Sequence, residues 1–112
     1  MSEPPVPGME RLTLVVLRRP PDAADYPEEE LDRIQAGHIA VLDEQRERGV
    51  LAAAGPFRDH EDESLRGLCI YRTSVEETRA IVATDPAVRA HRMTGEVVTW
   101  WFGEGQVRIV ED

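Results

Sequence analysis

The sequence is short of cysteine, of basic charge and of long apolar runs, and each shortage excludes something. One cysteine, Cys69, rules out an intrachain disulfide and fits a reducing compartment. Thirteen basic residues against 22 acidic ones leave a formal net charge of −9. Nucleic-acid binding needs a basic footprint that displaces counterions, so no nucleic-acid partner is expected. An anionic membrane surface is disfavoured for the same reason. No apolar run approaches the roughly 20 residues of a membrane span. Met1 to Gly8 has neither a basic n-region nor an apolar h-region, so no signal peptide is expected. These exclusions describe a soluble, cytoplasmic protein without a membrane partner.

What is present describes a folded domain. The 112 residues are 41% hydrophobic and 31% charged, a globular balance in a chain long enough for one core. Residues 1–10, rich in proline, are expected to be a flexible arm, and residues 11–112 a single domain.

The stretch from Leu31 to Pro56 organises the rest. Leu31, Ile34, His38, Val41, Leu42 and Gln45 share one face of a helix, within an arc of about 100°. Pro27 suits the first turn, and Glu28, Glu29 and Glu30 complement the positive end of the dipole. Arg46 and Arg48 lie in the last turn, and Gly49 can take the left-handed stop. His38 thus falls in the middle of the stripe that faces the core, where an imidazole must be satisfied or used. Gly37 beside it costs about 1 kcal/mol relative to alanine in a helix. Either it packs closely against a strand or it lets something approach His38.

Around this helix, period-two patterns predict strands over Arg11–Leu17, Val50–Ala54, Arg66–Tyr71 and Glu96–Phe102. Gln106 to Val110 could add a short fifth. Ser74 and Glu77 form a capping box for a second helix, with Val75, Thr78 and Val82 inward and Asp85-Pro86 as its end. The order βαββαβ predicts an α+β, ferredoxin-like fold: an antiparallel sheet with two helices on one face. Strands 1 and 4 are apolar on both faces, so the other sheet face needs a cover. A second copy is the economical one, giving a homodimer.

Asp85 is the second polar residue without a local reason. A carboxylate at the C-terminal end of a helix meets the negative end of the dipole. Both helices lie on one sheet face, so His38 and Asp85 can meet. The carboxylate would then hold the imidazole's tautomer and stabilise its protonated form. The bland alternative is an Asp-Pro turn cap. No ligand spacing such as CxxC or HExxH appears among His38, His60, His91, Cys69 and Asp85, so no metal is expected. Gly103-Glu104-Gly105 lacks the helix of a phosphate loop, and no cofactor is expected. Cys69 reads as a small buried hydrophobe. Trp100 and Trp101 alternate across the sheet, so one can line the pocket while the other packs at the dimer interface.

Gly37-His38-Ile39-Ala40, Gly49-Val50-Leu51 with Ala54-Gly55-Pro56, and Asp85-Pro86-Ala87-Val88, in that order and spacing, resemble the YCII-related (YciI-like) family from about Leu12 to Phe102. The resemblance implies a ferredoxin-like fold dimerised as in the dimeric α/β-barrel superfamily. It also implies an active site of one histidine and one aspartate, here His38 and Asp85. Relatives on this fold include dehydrochlorinases and muconolactone isomerases, so proton abstraction and elimination are the implied chemistry. Two departures stand out. Where the family carries a glycine after Asp-Pro, this chain has Arg89, His91 and Arg92. Where it carries a proline before the last aromatic of strand 4, this chain has Thr99 before Trp100. A basic rim suits an anionic substrate. The expected site is therefore His38 and Asp85 as acid/base groups, bordered by Gly55, Pro56, Arg89, His91 and Trp100. The expected function is lyase- or isomerase-type chemistry on a small organic molecule. The rival reading is a non-catalytic module that binds a metabolite or a protein in the same pocket.

Overall fold

The computed structural model describes residues 6–109. Its elements run β1 (Met9–Arg18), α1 (Glu28–Glu47), β2 (Leu51–Pro56), β3 (Leu65–Tyr71), α2 (Val75–Val82), α3 (Pro86–Arg89) and β4 (Thr94–Gly103). The sheet order is β2-β3-β1-β4, and every neighbouring pair is antiparallel. β1 and β2 therefore run parallel on either side of β3, which is the ferredoxin-like arrangement. β1 starts at Met9, which pairs with Gly103, so the last two residues of the expected arm belong to the sheet. Residues 1–5 lie outside the described residues. Residues 106–109 form no strand, and Val110 of the expected fifth strand lies outside the described residues.

The helix boundaries follow the local chemistry. At the end of α1, Gly49 takes φ 78°; its N–H donates to the Arg46 carbonyl and that of Val50 to the Gln45 carbonyl. Those two bonds make the left-handed stop that a glycine allows. At the start of α2, Ser74 Oγ accepts the Glu77 N–H at 3.1 Å and donates to the Glu77 carboxylate at 3.0 Å.

Sheet register decides which residues face the helices. Thr13, Val15 and Leu17 of β1 are buried, as are Cys69 and Tyr71 of β3. Val15 pairs with Cys69 on one side and with Val97 on the other. Residues of that parity face α1 and α2, whose Ile34, His38, Gln45 and Thr78 are buried. The opposite parity makes the uncovered face: Leu12, Leu14, Val16, Leu68, Ile70, Val98, Trp100 and Phe102, with Trp100 and Phe102 ring centroids 5.0 Å apart.

One element departs from expectation in a way that matters. α2 stops at Val82, and Asp85-Pro86 opens a separate helix, α3. Asp85 is the N-cap of that helix and Pro86 its first residue, the two strongest local start signals. Asp85 is thus not an unfavourably placed carboxylate at a helix C-terminus. It sits at a positive helix end, and the sheet carries three helices rather than two.

Candidate functional site

α1 and the turn into α3 bring two buried polar side chains together under the sheet's covered face. His38 Nδ1 lies 2.5 Å from Asp85 Oδ2, and the two residues are 6% and 5% exposed. The other carboxylate oxygen, Oδ1, accepts the Ala87 N–H at 2.8 Å. One oxygen caps α3 while the other holds the imidazole, so the turn-cap role and the histidine-partner role are filled at once. The cap fixes the carboxylate's direction, and the carboxylate fixes the ring. An ionised carboxylate only accepts, so Nδ1 carries the proton, and Nε2 is left as the nitrogen that can take or give one. Among the described residues no buried side-chain nitrogen or oxygen lacks a partner. The bond of His38 to Asp85 is made through Nδ1, which leaves Nε2 outside the pair.

The pair opens onto a small cavity with apolar walls from Val15, Leu17, Val41, Leu42, Ile81 and Val82, and with Cys69 and Tyr71 on its floor. Its volume is about 10 Å³, room for one water molecule. Burial, then the Asp85 charge, pushes the Cys69 thiol up to about 11. Burial, then the charges of Cys69 and Asp85, likewise raises the Tyr71 phenol. Both groups are therefore held neutral at ordinary pH, which disfavours Cys69 as a nucleophile. Tyr71 escaped notice in the sequence, although it shares the parity of Cys69 on β3. Among the described residues no three His, Cys, Asp or Glu side chains group closely enough to hold a metal ion.

The five expected border residues are elsewhere. Gly55 and Pro56 are exposed on β2, the edge strand, opposite Leu68 and Gly67 of β3. Arg89 is exposed in α3. His91, at φ 55°, turns outward to Asp22 at 3.0 Å, and this bond holds the Asp22 carboxyl below its usual range. Trp100 is on the uncovered sheet face because it pairs with Leu12, one residue out of phase with Thr13. The basic stretch after Asp85 also has a different task from rimming a pocket. Arg92 Nη1 donates to the Ala24 carbonyl at 2.9 Å, and the Ala24 N–H donates to the His91 carbonyl at 3.0 Å. Tyr26 Oη donates to the Ala90 carbonyl at 2.9 Å. With the His91–Asp22 contact, four bonds fasten the β1–α1 loop to the turn beyond α3, which supports the segment that carries Asp85.

A ferredoxin-like fold with a buried His–Asp couple at a helix cap defines a class, and comparison with known proteins gives the family. The YCII-related domain matches residues 12–101, and the chain belongs to that family. No curated protein matches. Among solved structures, the chain is similar to 5-chloro-2-hydroxyhydroquinone dehydrochlorinase (TftG) from Burkholderia phenoliruptrix AC1100 in complex with 2,5-dihydroxybenzoquinone. The identity is 19%, over 81% of this chain and 93% of that one, with a TM-score of 0.54, a likeness of fold. No helix among the described residues is long and apolar enough to cross a membrane.

Proposed function

We propose that the chain is an acid/base enzyme of the lyase or isomerase type, acting on a small organic molecule. The observation that carries this reading is the 2.5 Å contact between His38 Nδ1 and Asp85 Oδ2, made by a carboxylate already anchored to Ala87. His38 is the general base and acid through Nε2, and Asp85 holds its tautomer and balances the imidazolium that forms when Nε2 takes a proton. The named reaction of the similar TftG structure, a dehydrochlorination, is an elimination of the same proton-transfer class. A homodimer completes the reading, with the uncovered apolar sheet face as its interface, in the cytoplasm.

A second reading, ligand binding without turnover, is favoured by one observation: the cavity beside His38 holds about one water. Between Val41 and Leu42 of α1 and Ile81 and Val82 of α2, that cavity has no room for a substrate. The deciding experiment is a screen of small hydroxylated quinones, phenols and lactones with the wild type and His38→Gln. Turnover that disappears in His38→Gln supports the enzyme. Ligands that bind and are returned unchanged after long incubation establish the binding module instead.

A further inference from the structure

The end of α3 places a histidine in a backbone conformation that suits glycine. Ala90 is the cap residue; the Arg92 N–H donates to the Ala87 carbonyl at 2.9 Å and the His91 N–H to the Val88 carbonyl at 3.1 Å. These two bonds make a Schellman ending, in which the residue after the cap takes the left-handed region and is usually glycine. Here that residue is His91, at φ 55°. A side chain with a Cβ is strained there, and such strain persists where the surroundings hold it and a function draws on it.

The conformation aims the ring at another segment. His91 Nε2 donates to Asp22 Oδ1 at 3.0 Å, across 69 positions of the chain. The two side chains are 50% and 82% exposed, so the ring exchanges protons freely with solvent. The contact lies beside the main-chain bond from the Ala24 N–H to the His91 carbonyl. The charged and titratable groups on the joined segments are Arg19, Asp22, Asp25 and Tyr26 on the β1–α1 loop, Arg89 in α3 and Arg92 beside the histidine. Asp22 meets the ring, while Arg92 turns to the Ala24 carbonyl and lies 3.9 Å from Asp25, and Tyr26 is bonded to the Ala90 carbonyl.

Histidine is the side chain whose ordinary titration falls between about pH 5 and 8. A neutral ring still donates one hydrogen bond, but a protonated ring makes that bond charge-assisted and roughly twice as strong. The carboxylate must be ionised to complete it. The bond from His91, ahead of Asp22's own backbone bond and the His91 charge, keeps Asp22 ionised to lower pH than usual. The contact is therefore strongest in mildly acid solution, where both groups are charged. It weakens above that window as His91 loses its proton, and below it as Asp22 gains one.

We propose that His91 and Asp22 form a pH-operated latch between the β1–α1 loop and the turn beyond α3, tight in mildly acid solution and slack above neutrality. The latch tunes how firmly the segment following Asp85 is held. It does not depend on any chemistry at His38.

Amide hydrogen exchange followed by NMR tests it, with the Ala24 N–H as the reporter and Val15, in the middle of β1, as the reference. Protection of Ala24, corrected for the intrinsic pH dependence of exchange, should be about two- to fivefold higher near pH 5.5 than near pH 8.5, the modest step that an exposed ion pair supports. Added salt should shrink the step. His91→Asn tolerates the left-handed backbone and never becomes charged, so the step should vanish while the unfolding midpoint is kept. Asp22→Asn removes the charge from the other side and should abolish the step equally. Equal protection of Ala24 across this range in the wild type overturns the proposal. So does a step that persists in either variant, which would assign the pH response to another group such as His38 or His60, or a step of the same size at Val15, which would mean a change in global stability.

Discussion

Gly37 and Pro86 touch so closely that a Cβ on Gly37 would stand 2.7 Å from the proline Cγ and 3.2 Å from its Cβ. This contact seats α3 against α1, one residue from each member of the His38–Asp85 pair. The glycine that looked costly in the helix therefore packs against a helix rather than a strand, and its use is the approach of the two carriers of the site. A proline ring is not a flexible tip, so Gly37→Ala has to move α3. Overpacking costs about 1–3 kcal/mol, and the better helix propensity of alanine offsets about 1 kcal/mol. The expected outcome is a net loss of about 1 kcal/mol in urea unfolding, with His38 and Asp85 visibly separated in a crystal structure of the variant. Unchanged stability and an unchanged pair would remove Gly37 from the account.

Replacing Asp85 separates its two tasks. Asp85→Ala loses the cap on Ala87, about 1 kcal/mol, and leaves a buried imidazole nitrogen without its acceptor, about 1–3 kcal/mol more. The sum predicts about 2–4 kcal/mol in chemical denaturation. Asparagine can keep the cap with its oxygen and offer its amide to Nδ1. Asp85→Asn should therefore stay within about 1 kcal/mol of wild type while moving the ring proton to Nε2. Nitrogen NMR shifts of His38 read that tautomer directly. If they are the same in wild type and Asn variant, Asp85 does not set the tautomer.

Most of the scaffold was readable from periodicity, because the covered and uncovered parities of β1 and β4 and the stripe Ile34–His38–Gln45 are strong local patterns. α3 was not, since four residues carry no period. Asp85-Pro86 was legible as a stop for α2, yet the same two residues are start signals, and only the backbone path after them decides. The pairing of His38 with Asp85 could be anticipated from the shared sheet face. The border residues could not. Placing Trp101 rather than Trp100 on the covered face requires the β1–β4 register, which puts Thr99 and Trp101 in phase with Thr13. Excluding Gly55 and Pro56 requires knowing that β2 is an edge. Arg92 looked like pocket chemistry in sequence, but it is spent on the Ala24 carbonyl, a contact across 68 residues that no local pattern announces.

Cys69 gives the chain an alkaline limit. Its thiol is raised from the ordinary value of 9.0 to about 11 in the fold. The folded state thus binds more protons than the unfolded state between those values, and stability must fall as pH rises through that window. Tyr71, also raised, acts in the same direction at still higher pH. Denaturation midpoints should hold steady up to about pH 9 and then decline. Cys69→Ala should reduce the decline without abolishing it, because Tyr71 remains. Iodoacetamide should leave Cys69 untouched at pH 8 until the chain is unfolded; rapid alkylation of the native protein would show that the thiol is neither buried nor raised.

The uncovered sheet face predicts assembly. Leu12, Leu14 and Val16 on β1 adjoin Val98, Trp100 and Phe102 on β4, and Val98 is 38% exposed. Contiguous apolar surface of this extent marks an interaction site on a soluble protein. A two-fold dimer would set the face against itself, and opposing twisted sheets can pack in this way. Light scattering should give twice the chain mass at micromolar concentration. Leu14→Arg places a charge in the middle of the face, where the partner's copy of the same charge would oppose it. The variant should appear as a monomer or lose its cooperative unfolding, because subunit and fold stability are linked when the folded monomer is marginal. Arg58→Glu, an exposed charge change on the β2–β3 loop, should leave the mass unchanged and controls for surface charge alone. A wild-type chain that scatters as a monomer throughout the micromolar range would leave the apolar face without this explanation.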